Sequence, residues 1–320
     1  MGFRRFLAVA LLAAAGSGAF AQGYPSKPVH AIISFTPGSS TDIVGRVVMA
    51  KVAEYWGQPV IPDNRAGAGG SIGTAVVARA APDGYTLLID SNAHAVTPSI
   101  YATLPYDTLK DFVDIAPMAL QPNVLVVASN SRFRTLMDIV KEAREKPGSI
   151  NFGSAGIGSG THLNLERFVA AAKIRVTHIP YKGTPEVITN IMSGATDCYW
   201  APISAALSAI KGGKLRALAV SSAKRNSSLP DVPTTGEAGV SGADSPLWFG
   251  IWAPAGTPPE IVQKISADVR KAIADPGVKD KLQNLGNDTM DMSPAEFAKF
   301  VREELETYAA VIKAAGIKPQ

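Results

Sequence analysis

Short apolar runs of strand length alternate along this chain with segments of helical periodicity, and this alternation constrains the fold more than any other feature. The runs lie at residues 29–35, 86–89, 124–128, 176–179, 198–200, 215–220 and 249–253. Leu136, Ile139, Val140 and Ala143 form one i, i+3, i+4, i+7 stripe between them, and Leu165, Phe168, Val169 and Ala172 form another. Such stripes bury one face of an amphipathic helix. At 257–260 (TPPE) and 293–296 (SPAE) a hydroxyl residue is followed three positions later by glutamate, with proline at the first helical position. Both read as capping boxes opening long helices. The pattern predicts an α/β protein with mostly parallel sheets.

Two stretches read as places where the chain passes from one lobe to another. They are residues 116–123 (APMALQPN) and 239–246 (GVSGADSP), each rich in proline, glycine or serine and each preceding an apolar strand. Two crossings divide the chain into one lobe of residues 22–121 plus 246–320 and a second of residues 122–245. Two lobes joined by two strands of chain form a hinge, the architecture of a closing clamp.

The leader bears on compartment. Arg4 and Arg5 precede an uninterrupted apolar run at 6–15, with small residues at Ala19 and Ala21. This is the pattern of a secretory signal peptide cut after Ala21, and it predicts an exported chain. The run is about ten residues, against the roughly 20 needed to span a bilayer. Without residues 1–21, which carry two arginines and no acids, 299 residues remain and the formal charge of +4 falls to +2. A near-neutral surface argues against nucleic acid as a partner. The lone Cys198 cannot form an internal disulfide and lies in an apolar run, where it reads as an inert buried thiol. Stability therefore rests on core burial, for which the 46% apolar content is sufficient in two medium-sized lobes.

Two loops carry the chemistry. After the first strand come Thr36, Pro37, Gly38, Ser39, Ser40, Thr41 and Asp42, then an apolar helix. A strand feeding a helix through a glycine- and hydroxyl-rich loop leaves backbone N–H groups free at the positive end of the helix dipole, a ready anion site. Ser40, Thr41 or Asp42 could equally cap that helix. The second loop is NFGSAGIGSGTH, residues 151–162, in which Ser154, Gly156, Gly158, Ser159 and Thr161 let backbone and hydroxyls approach a ligand. A third, weaker element is Asp90, Ser91, Asn92, Ala93 and His94, at a strand end where open α/β sheets place ligands. Phe35, Tyr181 and Trp248 could stack on an aromatic acid, but each adjoins a strand and reads more readily as a core side chain.

Sharper motifs fail on spacing. GAGGSIG at 67–73 misses the dinucleotide fingerprint by one residue and follows no strand, and the loop at Gly153 lacks the Gly-Lys-Ser/Thr of a P-loop. No G-x-S-x-G elbow occurs. His30, His94, His162 and His178 stand far apart, and no cluster of His, Cys and acidic residues reads as a metal site. No metal, no cofactor and no catalytic residue is expected, and a hydrolase built on Ser154 or Ser159 with His162 is the weakest reading.

The segments FTPGSSTDIVGR, DNRAGAGGSIGTAVVARAAPDGYTLL, SNAHAVTPSIY, LPYDTLKDF, NFGSAGIGSGTHLNLERF, HIPYKGTPEVITNIMSGATD, VPTTGEAG and WFGIWAPAGTPPEIV, in this order and spacing, resemble the Bug family of periplasmic solute receptors, the binding components of tripartite tricarboxylate transporters. The resemblance covers essentially the whole chain after the leader. It implies a monomeric, two-lobed type II periplasmic-binding-protein fold with a central cleft, a small carboxylate held in that cleft, and two integral-membrane subunits as partners. Carried onto matching positions, it places Thr36, Gly38, Ser39, Ser40, Thr41 and Asp42 at the ligand in one lobe. In the other it places Ser154, Gly156, Gly158, Ser159, Gly160, Thr161 and His162, with Asn92 and Asp197 also lining the cleft. The chain departs from the family at Ser39, where glycine is usual, and at Gly160, where proline is common. A sensor whose closed form docks on a membrane kinase is an alternative use of the same architecture that the sequence does not separate from transport.

Overall fold

A computed structural model describes residues 23–314, 316 and 319. The leader and its cleavage point after Ala21 lie outside the described residues. In chain order the elements are β1 (Val29–Ile33), α1 (Ser40–Trp56), β2 (Val60–Asn64), α2 (Ser71–Ala78), β3 (Thr86–Ser91), α3 (Ala93–Ile100), β4 (Phe112–Gln121) and β5 (Asn123–Ala128). There follow α4 (Leu136–Glu145), β6 (Asn151–Ser154), α5 (Gly160–Ala172), β7 (Thr177–Pro180), α6 (Thr184–Met192), β8 (Cys198–Pro202), α7 (Ile203–Lys211) and β9 (Leu215–Val220). The chain closes with β10 (Leu247–Pro254), α8 (Pro259–Ala274), α9 (Pro276–Asn284), β11 (Asp288–Thr289) and α10 (Pro294–Ala314).

The strands form two sheets, in the orders β11-β4-β10-β3-β1-β2 and β7-β6-β8-β5-β9. All seven apolar runs are strands. The expectation of mostly parallel sheets is corrected, because both sheets are mixed. β1 pairs in parallel with β2 and β3, and β6 with β7 and β8, while the ladders joining β10, β4, β11, β5, β8 and β9 are antiparallel. The reason is connectivity. A strand reached through a helix returns parallel, and β4, reached through α3, keeps the direction of β1 and β3, whereas β5 and β10 enter from the passages between sheets without a helix and run the other way.

The first passage is also shorter than its composition suggested. Residues 112–121 form β4, and only Pro122 separates it from β5. Pro117, which made this stretch read as irregular, sits opposite Gly250 where the β4–β10 register shifts, a bulge that tolerates a residue with no N–H to donate. The second passage, before β10, is irregular as expected. The capping box at 293–296 forms, with Ser293 N–H donating to Glu296 Oε2 at 2.8 Å and Glu296 N–H to Ser293 Oγ at 3.3 Å. The one expected at 257–260 does not form. Helix α8 is capped at Pro258, and the Thr257 hydroxyl donates instead to the Pro254 carbonyl at 2.8 Å.

Each sheet is packed on both faces. Ile33, Val48, Ile89, Phe249 and Val269 fill one face of the first, and Leu88, Trp248, Trp252 and Phe297 the other. Phe152, Phe168 and Trp200 lie on one face of the second, and Val126, Tyr199 and Leu207 on the other. Cys198 is fully buried there, and burial pushes its thiol up, away from the reactive thiolate. His94, another of the scattered histidines, is buried between Trp252 and Phe112 and held neutral by that burial.

Asp90, near the end of β3, is a fully buried carboxyl close to the strand ends where the site forms. Burial pushes it up to about 7, against the pull of hydrogen bonds from Ser34 Oγ (2.6 Å), Ser91 N–H (2.7 Å) and Thr74 Oγ1 (3.1 Å). Its folded-state value lies above the roughly 3.9 of an exposed aspartate. The folded form therefore keeps a proton that the unfolded chain releases, and stability falls as pH rises from about 4 toward 7. Asp90→Asn removes that dependence, so the variant's melting temperature relative to the parent should climb between pH 5 and pH 8; parallel curves would show that Asp90 is ionised at no cost. Phe297→Ala, which empties a fully buried site against Trp248 and Trp252, should cost about 3–5 kcal/mol in denaturant unfolding.

Candidate binding site between two capped helix starts

The two glycine- and serine-rich loops are the same structure built twice. Gly38-Ser39-Ser40-Thr41 leads into α1 and Gly158-Ser159-Gly160-Thr161 into α5. Gly38 and Gly158 have φ of 78° and 81°, the left-handed region that glycine enters without strain. Ser39 (φ −69°, ψ 161°) and Ser159 (φ −71°, ψ 158°) are the N-caps. Each serine oxygen accepts the amide three residues on, from Asp42 at 3.3 Å and from His162 at 3.2 Å. Each serine amide donates back across the loop, to Thr36 O at 3.0 Å and to Gly156 O at 3.1 Å.

The residue at the third helical position braces each loop. Asp42 accepts from Gly38 N–H at 2.9 Å, from Arg46 Nε at 2.7 Å and from Asn64 Nδ2 at 2.9 Å. His162 Nδ1 accepts from Gly158 N–H at 3.3 Å, its ring stacks on His178 at 4.3 Å, and its Nε2 faces Glu166 at 3.5 Å. Both side chains are consumed holding loop geometry, and neither lines the gap between the helices. The usual glycine of the family is replaced at Ser39 without strain, and its hydroxyl turns to the helix as a cap.

With the third amide of each helix satisfied by its serine, the first two remain. The amides of Ser40, Thr41, Gly160 and Thr161 find no acceptor among the described residues, and amides at these positions point outward along the helix axis. A small cavity lies between them, lined by Ser39, Ser40 and Thr41 on one side and Ser159, Gly160 and Thr161 on the other. Phe35, Ser91, Ala155, Thr184, Pro202 and Leu247 complete its walls. None of these carries a formal charge. Each helix start is equivalent to about half a positive charge, so the pair presents roughly one. The cavity measures about 20 Å³, compared with the roughly 150 Å³ that takes a benzene ring, so anything larger than a water enters only when the walls move apart.

Other predicted site residues fall close by but do other work. Ser154 is fully buried, with its Oγ 2.6 Å from His178 Nε2 and accepting from Gly156 N–H at 3.1 Å. Burial first, and the His162 ring second, push His178 down to about 4. Ser159 Oγ donates to Gly156 O at 2.7 Å, and the nearest ring nitrogen of His162 is already taken by Gly158. No serine–imidazole pair faces the cavity. Thr36 Oγ1 is buried without a partner against Gly183, where any Cβ would collide with it.

Gly156 lies against Tyr181 and Gly69, and a Cβ on Gly69 would collide with the Ile157 carbonyl. Tyr101 Oη donates to the same carbonyl at 3.0 Å. The glycines at 67–70, rejected as a nucleotide motif, thus form the seam along which the two halves of the site meet. Asn92 is 1% exposed and faces Gly160 across that seam.

Asp197 is the exception and corrects the expectation that it lines the cleft. It accepts from Asn151 N–H at 2.8 Å and pairs with Arg132 at 3.1 Å, just before β8. The cavity touches β8 at its other end, Pro202, about 16 Å away at 3.3 Å per residue. Ser91, the last residue of β3, lines the cavity, though sequence reasoning placed it only in the weaker third element and not among the ligand contacts. That reasoning missed Thr184, which opens α6 and exchanges a 2.9 Å hydrogen bond with Tyr199, and the apolar Pro202 and Leu247, for which the sequence carries no signal.

The family model for the tripartite tricarboxylate transporter family receptor matches residues 44–317. A Pseudomonas sp. protein described as the UPF0065 protein in the tcbD-tcbE intergenic region is 38% identical over 316 residues, covering 98% of this chain and 94% of the relative. BugT of Bordetella pertussis is 33% identical over 315 residues, covering 98% and 96%. Among solved structures, the periplasmic binding protein BugD superposes with a TM-score of 0.89 at 30% identity, covering 93% of this chain and all of that one. A protein of R. palustris solved with adipate gives 0.88 at 31% identity, covering 93% and 100%. MatC from Rhodopseudomonas palustris with bound malate gives 0.86 at 30% identity, covering 90% and 100%. With the two-lobed fold of these periplasmic binding proteins and a match over most of its length, the chain belongs to the tripartite tricarboxylate transporter receptor family.

Proposed function

We propose that this receptor captures a small carboxylate between the starts of α1 and α5 and hands it to two membrane subunits of a tripartite tricarboxylate transporter, without chemical change to the ligand. The observation that carries this reading is the set of four unpaired amides, from Ser40, Thr41, Gly160 and Thr161, facing one cavity with no charged side chain in its wall. Hydrogen bonds from backbone N–H to an anion are about twice as strong as neutral ones, so a carboxylate needs no arginine here. The neighbours solved with adipate and malate support a ligand of this class.

In this reading residues 22–121 plus 246–320 form one lobe and 122–245 the other, each contributing one helix start, and closure assembles the site. The hinge lies where β4 meets β5 and where the chain enters β10. There Asn123 N–H donates to Ser221 Oγ (3.0 Å), Ser221 N–H to Asn123 O (2.8 Å) and Ser245 N–H to Ser221 O (3.0 Å). These buried bonds tie the two passages together while leaving each strand free to twist.

Thermal-shift measurement on the chain lacking residues 1–21, across mono-, di- and tricarboxylates, acidic amino acids and aromatic acids, tests the reading. A ligand at 100 times its Kd should add about 2.7 kcal/mol, a rise of several degrees; a panel in which no carboxylate shifts the melting temperature sinks it. Ser40→Pro removes one amide at a position where helices accept proline. It should melt within a degree or two of the parent yet bind the identified carboxylate at least tenfold more weakly, the effect of one hydrogen bond to a charged group. Unchanged affinity would show that the α1 start does not hold the anion.

A further inference from the structure

We propose that Asn92 reads a hydroxyl on the ligand, so that the site prefers a carboxylate bearing a hydroxyl on the carbon next to the bound carboxylate group over the same acid without it. This deepens, and rests on, the carboxylate reading above. Asn92 is 1% exposed, and its Oδ1 has no hydrogen-bond partner among the described residues. Buried side-chain acceptors are nearly always paired, and one left open beside a binding cavity points to a group that arrives with the ligand.

The orientation of this amide is set by its surroundings. Tyr308 Oη donates to Glu304 Oε2 and is therefore an acceptor toward Asn92 Nδ2 (3.4 Å) and Trp248 Nε1 (3.1 Å). Trp248 Nε1 also donates to Glu304 Oε2 at 2.8 Å. The nitrogen end of Asn92 is thereby held on Tyr308, and its oxygen end is turned to Gly160.

Gly160 is the reason that oxygen can sit directly behind the cavity wall. A Cβ at position 160 would collide with Asn92 Oδ1 and stand 2.5 Å from Leu247 Cδ1, so the proline common at this position in the family would displace the amide. Gly160 and Leu247 both line the cavity. Asn92 itself stands one layer behind the lining residues, so as the walls part to seat a carboxylate on the Gly160 and Thr161 amides its carbonyl oxygen is the open acceptor next to them.

The chemistry of that oxygen narrows the ligand. It accepts and cannot donate, so it favours a hydroxyl and opposes a second carboxylate at the same spot. An ammonium would also donate, but a charge taken from water needs a counter-charge. No carboxylate lines the cavity. The nearest acids are engaged elsewhere, Asp42 with Arg46, Asn64 and the Gly38 amide, and Asp90 with Ser34, Thr74 and the Ser91 amide. The class that fits is the 2-hydroxy acid, ahead of the 2-amino acid and the plain acid.

Calorimetric titration with matched pairs tests this: propionate against lactate, succinate against malate, and glutarate against 2-hydroxyglutarate, with aspartate as the amino counterpart. Each hydroxy acid whose parent binds should bind at least tenfold tighter than that parent, the gain of one buried hydrogen bond, and malate should exceed aspartate. In Asn92→Leu the hydroxy-to-parent ratio should fall below about threefold. Gly160→Ala, which pushes the amide away from the other side, should give the same collapse and guards against a variant that fails to fold. Equal affinities within the pairs, or a preference that survives both substitutions, overturn the role of Asn92 while leaving carboxylate binding in place. Failure of the parent protein to bind any member of the panel overturns both readings together.

Discussion

Backbone amides at the start of a helix have no partner inside the helix, and the rest of this structure is arranged around that fact. Each of the two facing helices satisfies its third amide with its own N-cap serine, Ser39 or Ser159, and leaves the first two open. Four open donors around a gap too small for more than a water are costly unless something negative arrives to share them. Helix-start amides arranged in this way suit an anion, and no side-chain charge stands in the cavity wall.

The same loop is built once on each of the two sheets. Gly38 and Gly158 adopt the same left-handed conformation, yet the bracing residues differ, a carboxylate at Asp42 and an imidazole at His162. Asp42 is locked by Arg46 and Asn64, while His162 lies on His178. One half of the clamp is thus held by charge and the other by stacking. The seam between them is made of glycine against backbone, Gly69 on Ile157 and Gly183 on Thr36. Side chains there would hold the halves apart.

Much of the fold was legible in the residues. The seven apolar runs are strands, and the stripes at 136–143 and 165–172 are helices, because period-two and period-3.6 burial leave distinct marks. What was not legible had mixed signals. β4 carries Pro117 and read as a passage until the bulge opposite Gly250 explained it. β6 reads Asn-Phe-Gly-Ser and β11 is two residues long, too polar or too short to announce themselves. Parallel and antiparallel pairing was beyond the sequence, since it depends on which strands the passages bring side by side.

The sequence by itself determined that a helix starts after each glycine- and hydroxyl-rich loop, while the structure caps them with Ser39 and Ser159 in place of the expected Ser40, Thr41 or Asp42. Tertiary structure alone decided that the two starts share one cavity, that Asp42 and His162 brace loops while Asp197 stands a strand's length away, and that Leu247 and Pro202 close the floor. It also turned the oxygen of Asn92 toward Gly160, through Tyr308 and Glu304 more than 200 residues further along the chain. Capping is written in neighbours, whereas the meeting of two helix starts depends on how two sheets pack and pass their strands between them.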